Sequence, residues 1–324
     1  MKTICGYLKA ENEWSSVTSG GLATSIARNF IINGGVVFGV AYTDDFKSAR
    51  YMKIDKESDV NLIRGTKYIR AEKTLPSGLS LEEEVENTLG TNIAVLCIGL
   101  PCKMFHLKDV LSKKDISTDN LYILDLVCHG PAYIEIHKAF IDLLEMRYDS
   151  KIIDYNVRYK NPYWNPAFIR ATFANGKEYV KKLNDSEFGK GFNICPQPCS
   201  YSCKFKGDNR ASDITIGDFW GITEEDVEYN KYGVSIGFVH TDKADNLLNI
   251  PDFELMDADV EKAMRGNPRY STVLDKNPDA DRFLKLFKEK GLEYASTHCF
   301  SYKTRIRQLI PNSIKVRIKK LINR

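Results

Sequence analysis

The chain has 324 residues, 43% of them hydrophobic and 27% charged. That balance is ordinary for a soluble globular protein and excludes a disordered, collagen-like or coiled-coil chain. The formal net charge is +3, and eight cysteines stand beside only five histidines.

In chain order, a polar small-residue segment, Ser15 to Gly21 (SSVTSGG), opens a helical pattern over Leu22 to Ile32 that Gly34 and Gly35 close as a C-cap. Val36 to Tyr42 (VVFGVAY) is predicted as a buried strand, Leu81 to Leu89 as a helix and Ile93 to Ile98 as a second buried strand. That strand breaks at Gly99, Leu100, Pro101 and Cys102 and feeds a helix over Met104 to Leu111. A third buried strand, Leu121 to Val127, ends at Cys128, His129, Gly130 and Pro131, and a helix over Tyr133 to Tyr148 follows. Strand and helix alternate, which predicts an α/β fold with a mostly parallel central sheet flanked by helices. The middle differs. Ile152 to Tyr159 and Phe168 to Phe173 read as alternating strands, and Asn175-Gly176 marks a hairpin that returns along Glu178 to Lys182. A Pro- and Cys-rich irregular stretch, Cys195 to Lys206, precedes strands at Asp213 to Gly217 and Val234 to His240, with helices through much of 257–292. No repeat or linker separates the parts, so one interlocked body is expected, divided as 1–92, 93–256 and a helical extension over 257–324.

The charge is uneven. Lys303 to Arg324 carries eight basic residues and no acid, which leaves the rest at 38 basic against 43 acidic. An acidic body argues against nucleic-acid binding. The tail also carries Ile306, Leu309, Ile310, Ile314, Val316, Ile318, Leu321 and Ile322. A basic amphipathic helix lying on an anionic membrane and a terminal helix docked on the protein's own core both fit it. No secretory signal and no run of ~18–20 apolar residues is visible, so a cytoplasmic protein is expected, peripheral at most to the inner face of a membrane.

Eight cysteines in such a chain are not a disulfide framework. Cys5, Cys97 and Cys299 are isolated. Cys195, Cys199 and Cys203 form C-x3-C-x3-C, and Pro196 and Pro198 make it a loop. Three thiols so close point to a soft metal or an iron–sulfur cluster. Cys102 and Cys128 each follow the carboxy end of a predicted parallel strand, where open α/β sheets bind ligands. Each alone reads as a buried thiol; together with the loop they read as candidate ligands. Neither G-x-G-x-x-G nor G-x-x-x-x-G-K-[ST] is present.

The succession SSVTSGG, GGVVFGVAY, GTKYIRA, GLPCK, LDLVCHGP, VRYKNPYW, CSYSCKFKGDNRASDITIGDFWG and KYGVS resembles the coenzyme F-420 hydrogenase/dehydrogenase beta-subunit family over about residues 15–245. The resemblance implies an oxidoreductase with FAD and a 4Fe-4S cluster. It would pass electrons between a reduced carrier, a ferredoxin-like protein or deazaflavin coenzyme F-420, and a small organic or glycan substrate, with surface-polysaccharide synthesis as the setting. It carries the cluster to Cys102, Cys128, Cys199 and Cys203, with Cys195 leaving the ligand set open. It carries flavin or substrate binding to Ser19, Gly20, Gly21, Lys67, Tyr68, Arg158 and Lys160. Departures are the absence of a ferredoxin-like segment ahead of the SGG element, C-x3-C in place of C-x2-C, and Leu100 where the family has a polar residue.

Each role has a plainer counterpart. Gly20 and Gly21 fit a phosphate-binding turn or a plain N-cap. Lys67, Arg158 and Lys160 would neutralise a pyrophosphate or simply be solvated. Tyr68 and Trp164 would stack on a flavin ring or simply pack. His129 would relay protons near the flavin, or be satisfied by backbone. Asp125, inside an apolar strand, needs a partner and is counted with His129 and Lys160 among the catalytic candidates. The alternative from another class is a zinc-stabilised scaffold protein.

Overall fold

Residues 2–300 are described by a computed structural model, and the basic tail expected to bind a membrane or the core lies outside them. The strands are β1 (Lys2–Leu8), β2 (Val36–Tyr42), β3 (Ala49–Ile54), β4 (Val95–Gly99), β5 (Leu121–Leu126), β6 (Ile152–Tyr159), β7 (Phe168–Phe173), β8 (Glu178–Lys182), β9 (Ile214–Asp218), β10 (Ser235–Val239) and β11 (Phe253–Asp257). The helices are α1 (Leu22–Ile32), α2 (Val60–Ile63), α3 (Leu81–Leu89), α4 (Pro101–Lys113), α5 (Ile134–Tyr148), α6 (Glu187–Ile194), α7 (Val260–Gly266) and α8 (Ala280–His298).

Eight strands form one sheet in the order β11-β1-β10-β9-β5-β4-β2-β3. Its centre, β2, β4, β5 and β9, is parallel, and the flanking pairs are antiparallel. The period-2 alternation of a strand explains why both faces must be covered. Val37, Leu96 and Leu124 point to the face covered by α1 through Leu22 and Ile26. Their neighbours Phe38, Val95, Cys97 and Ile123 point to the face that α3 and α4 cover with Val85, Met104 and Leu107. The fold is thus the expected mixed α/β sheet flanked by helices. The hairpin strands β6-β7-β8 form a separate sheet, packed with α5, α6 and α8 around Phe140, Phe173, Phe188 and Phe283. Three strands escaped the sequence reading: β1, β3 and β11. So did α6. Strand β1 ties the amino end into the sheet between β10 and β11. No described helix is long and apolar enough to cross a membrane.

Candidate functional site

The four parallel strands end on one edge, and β1, antiparallel to β10, ends there with them. Two of the cysteines sit on this edge because the chain leaves the sheet there. Pro101, with its fixed φ, opens α4 and puts Cys102 in the first helical turn after β4. Cys128 lies two residues past the end of β5. The cysteine loop is stitched to that same exit. The Gln197 amide donates to the Pro131 carbonyl at 2.9 Å, and Gln197 Nε2 donates to the Ala132 carbonyl at 3.0 Å. Gly130, at φ +93°, lets Ser200 come close: a Cβ there would stand 2.4 Å from Ser200 Cβ. Lys206 fastens the far side of the loop by donating to the carbonyls of Cys128 (2.9 Å) and Arg269 (2.7 Å).

The result gathers Cys102, Cys128, Cys199 and Cys203, all partly accessible. Charge on Cys199 or Cys203 raises the pKa of Cys102, and charge on Cys102 or Cys203 raises that of Cys128, so each of the four thiols lies in the field of at least one other and Cys102 in that of all three. Burial is the larger cause and pushes Cys128 up to about 11. A buried thiol with so high a pKa needs a cation to become a ligand. Cys195 departs from the group. Its side chain is buried in the α5/α6/α8 core, and its thiol donates to the Gly191 carbonyl at 3.3 Å.

Among the described residues no three His, Cys, Asp or Glu side chains gather tightly enough to hold a single metal ion. A cubane cluster asks for a different arrangement, because each thiolate binds its own iron and the four sulfurs surround a volume rather than a point. Four thiols from three chain segments fit that demand by their chemistry. Arg70 and Lys206 supply positive charge beside them.

A second group lies on the same edge. Arg158 pairs with Asp218 at the end of β9, donates to the Tyr68 hydroxyl at 3.4 Å and lies over Trp220 at 5.6 Å. Trp220 stacks on Trp164, with ring centres 4.5 Å apart. His129 feels the charges of Lys206, Arg269 and Arg158 and of Asp218, within electrostatic reach of both groups. The residue as a whole is exposed, yet protein crowding around the ring, with Lys206 adding, pushes its pKa down to about 4. The imidazole is therefore neutral near pH 7 and only a weak base there.

The remaining candidates hold the chain itself. Lys67 donates to the carbonyls of Ile63 (3.1 Å), Arg64 (2.6 Å) and Gly65 (3.0 Å). Lys160 donates to the carbonyls of Trp14 (2.5 Å) and Ser19 (2.7 Å). Both are buried, which lowers each pKa to about 7. Ser19 Oγ donates to the Val234 carbonyl, and the Ser235 hydroxyl accepts from the amides of Gly20 (3.0 Å) and Leu22 (3.3 Å). The Gly21 amide donates to the Thr18 carbonyl. A Cβ on Gly20 would stand 2.0 Å from the Gly6 carbonyl oxygen, so glycine is needed there for a backbone crossing. The groups expected to take a dinucleotide's phosphates are thus engaged internally. As they stand they do not fit FAD.

Asp125, expected at the chemistry, is sealed in the sheet. Its carboxylate accepts from Arg210 Nη1 (3.1 Å to each oxygen) and from Thr215 Oγ1 (2.5 Å), and Thr215 in turn meets His240 Nε2 at 2.8 Å. A fully buried carboxylate in a paired network cannot touch a substrate; Arg210, which also donates to the Leu126 carbonyl, makes it a brace for the strand end before Cys128. Sequence reasoning passed over Arg70, Gln197, Lys206 and Arg210. Three of them, Arg70, Lys206 and Arg210, stand inside the stretches GTKYIRA and CSYSCKFKGDNRAS already singled out.

Residues 93–259 match the family described as the C terminus of the coenzyme F420 hydrogenase/dehydrogenase beta subunit, just over half of the chain. No curated protein matches. The fold is similar to that of a chain in the F420-reducing NiFe hydrogenase complex from Methanosarcina barkeri, solved as a xenon derivative. The TM-score is 0.53 at 15% identity, over 92% of this chain and 90% of that one. At that identity the likeness is one of fold.

Proposed function

The chain belongs to the coenzyme F420 hydrogenase/dehydrogenase beta-subunit family, and from that premise we propose that it is an iron–sulfur oxidoreductase passing electrons between a reduced carrier and an organic substrate. The carrier is a ferredoxin-like protein or deazaflavin coenzyme F-420. The observation that carries the reading is the gathering of Cys102, Cys128, Cys199 and Cys203, from three chain segments, at the carboxy edge of the parallel strands. A cluster bound there would accept and release single electrons. The chain's own residues do the rest. Gln197 and Lys206 tie the loop to the strand exit, Gly130 makes room for it, and His129 stands at the edge as a neutral imidazole. Arg158, Tyr68, Trp220 and Trp164 form the adjoining polar and aromatic group beside which a planar organic substrate would lie.

Protein purified without oxygen is expected to be brown, with broad visible absorption and about four iron atoms per chain. Cys199→Ala and Cys203→Ala should each lose most of that iron and stay soluble. Colourless protein carrying one zinc per chain would replace this reading with the scaffold alternative. Full iron in both variants would move the cluster elsewhere. Flavin released by acid and read by fluorescence tests FAD separately.

A further inference from the structure

The backbone around Arg70 is pinned on both sides. Lys67 caps the three carbonyls of residues 63–65, Ala132 donates its amide to the Tyr68 carbonyl at 2.7 Å, and Glu72 donates its amide to the Ala49 carbonyl at 2.7 Å. From this fixed base the Arg70 guanidinium spreads its fork toward the cysteines. Nε donates to Gln197 Oε1 at 3.0 Å, Nη2 donates to Cys199 Sγ at 3.1 Å, and Nη1 reaches Cys102 Sγ at 4.0 Å. Gln197 is itself held by the carbonyls of Pro131 and Ala132, so the plane of the guanidinium is set. Among the described residues no carboxylate pairs with Arg70, although the surface around it is exposed. Besides Gln197, the groups its fork touches are the two sulfurs.

We propose that Arg70, oriented by Gln197, is a positioning residue that hydrogen-bonds the thiolates of Cys102 and Cys199 and raises the reduction potential of the cluster they hold. This rests on the cluster reading given above. When a one-electron carrier reduces the cluster, one electron enters, no bond breaks and no proton moves, so the cluster with its four thiolates gains one negative charge. A fixed cation donating to two of those sulfurs stabilises the reduced state more than the oxidised one. Arg70 also bridges two segments, the first turn of α4 and the cysteine loop, from a third. Its planar fork serves both sulfurs at once, which a lysine cannot do.

The test compares anaerobically purified wild type with Arg70→Gln, Arg70→Lys and Gln197→Ala. Iron per chain is measured first, then the midpoint potential by dithionite titration followed by electron paramagnetic resonance. Arg70→Gln should keep its iron and lower the ratio of reduced to oxidised cluster at a fixed ambient potential about tenfold, or ~59 mV for a one-electron couple. Arg70→Lys should recover part of that shift, and Gln197→Ala should show a smaller fall in the same direction. Full iron with an unchanged potential in Arg70→Gln would overturn the proposal. So would loss of iron in the Gln and Lys variants alike, which would make Arg70 only a structural bridge. Wild-type protein without iron would instead overturn the cluster reading.

Discussion

His137, in the first turn of α5, is fully buried, stacked on Tyr42 with ring centres 5.6 Å apart and edge-on to Tyr155 and Phe188. Its Nε2 stands 2.7 Å from the Phe46 carbonyl, which fixes the proton on that nitrogen and leaves Nδ1 without a partner among the described residues. A second proton would create a buried N–H with nothing to receive it, and burial pushes the pKa down to about 4. Between about pH 6.5 and 4 the unfolded chain binds a proton here and the folded chain does not, so this residue's contribution to stability is lost as the pH falls through that window. The loss is on the order of 3 kcal/mol. His137→Gln keeps a donor for Phe46 and removes the titration. Urea unfolding at several pH values should show a shallower acid decline for the variant; parallel declines would mean that the ring is already charged in the folded protein.

Helices and strands position the cysteines through a few contacts between loops, and Gly130 is one that can be isolated. Alanine there meets two obstacles, a left-handed φ of +93° and a Cβ 2.4 Å from Ser200 Cβ, whereas Gly176 in the β7–β8 turn has φ +80° and open space around it. Gly176→Ala should cost about 1 kcal/mol of stability and leave iron binding intact. Gly130→Ala should cost more and lower the iron per chain, because the cysteine loop must retreat from the β5 exit. Equal melting temperatures and equal iron in the two variants would mean that the loop adapts freely. These elements were legible in unequal measure. β2, β4 and β5 are apolar runs ended by turns, Gly and Pro close to the cysteines, and buried parallel strands look like that in any sequence. β3 (ARYMKI) and β11 (FELMD) are flanking strands with polar alternation. β1 (KTICGYL) is a short stretch interrupted by glycine, and α6 carries two glycines just before the prolines of the cysteine loop. Spacing and placement marked five cysteines, Cys102, Cys128, Cys195, Cys199 and Cys203, and only the resemblance set Cys195 apart. Arg70, Gln197 and Lys206 could not be read that way, because their roles exist only where segments near residues 70, 130, 200 and 270 meet in space.

Across the whole molecule the eight cysteines fall into two sets of four. Cys5, Cys97, Cys195 and Cys299 are buried, and Cys102, Cys128, Cys199 and Cys203 are partly accessible. Burial pushes Cys5 up to about 12 and Cys97 higher still, so neither offers a thiolate in the native state. Metal-free native protein treated with a thiol-reactive disulfide dye should therefore release colour first from the four partly accessible thiols, with Cys102 and Cys128, whose pKa burial raises, behind Cys199 and Cys203, and last from the buried four. In iron-loaded protein the fast set should vanish, since its sulfurs are engaged. The slow set reports on how the fold opens. Cys5 in β1 and Cys97 in β4 are joined by an unbroken ladder through β10, β9 and β5, which interleaves strands from the beginning, middle and end of the chain. Neither strand can leave without breaking hydrogen bonds on both sides, so the two thiols should react at one common rate, set by opening of the sheet. Peptide mapping of the labelled protein checks this. A Cys5 that reacts well ahead of Cys97 would show that β1 peels from the sheet by itself, and that the sheet is not one cooperative unit.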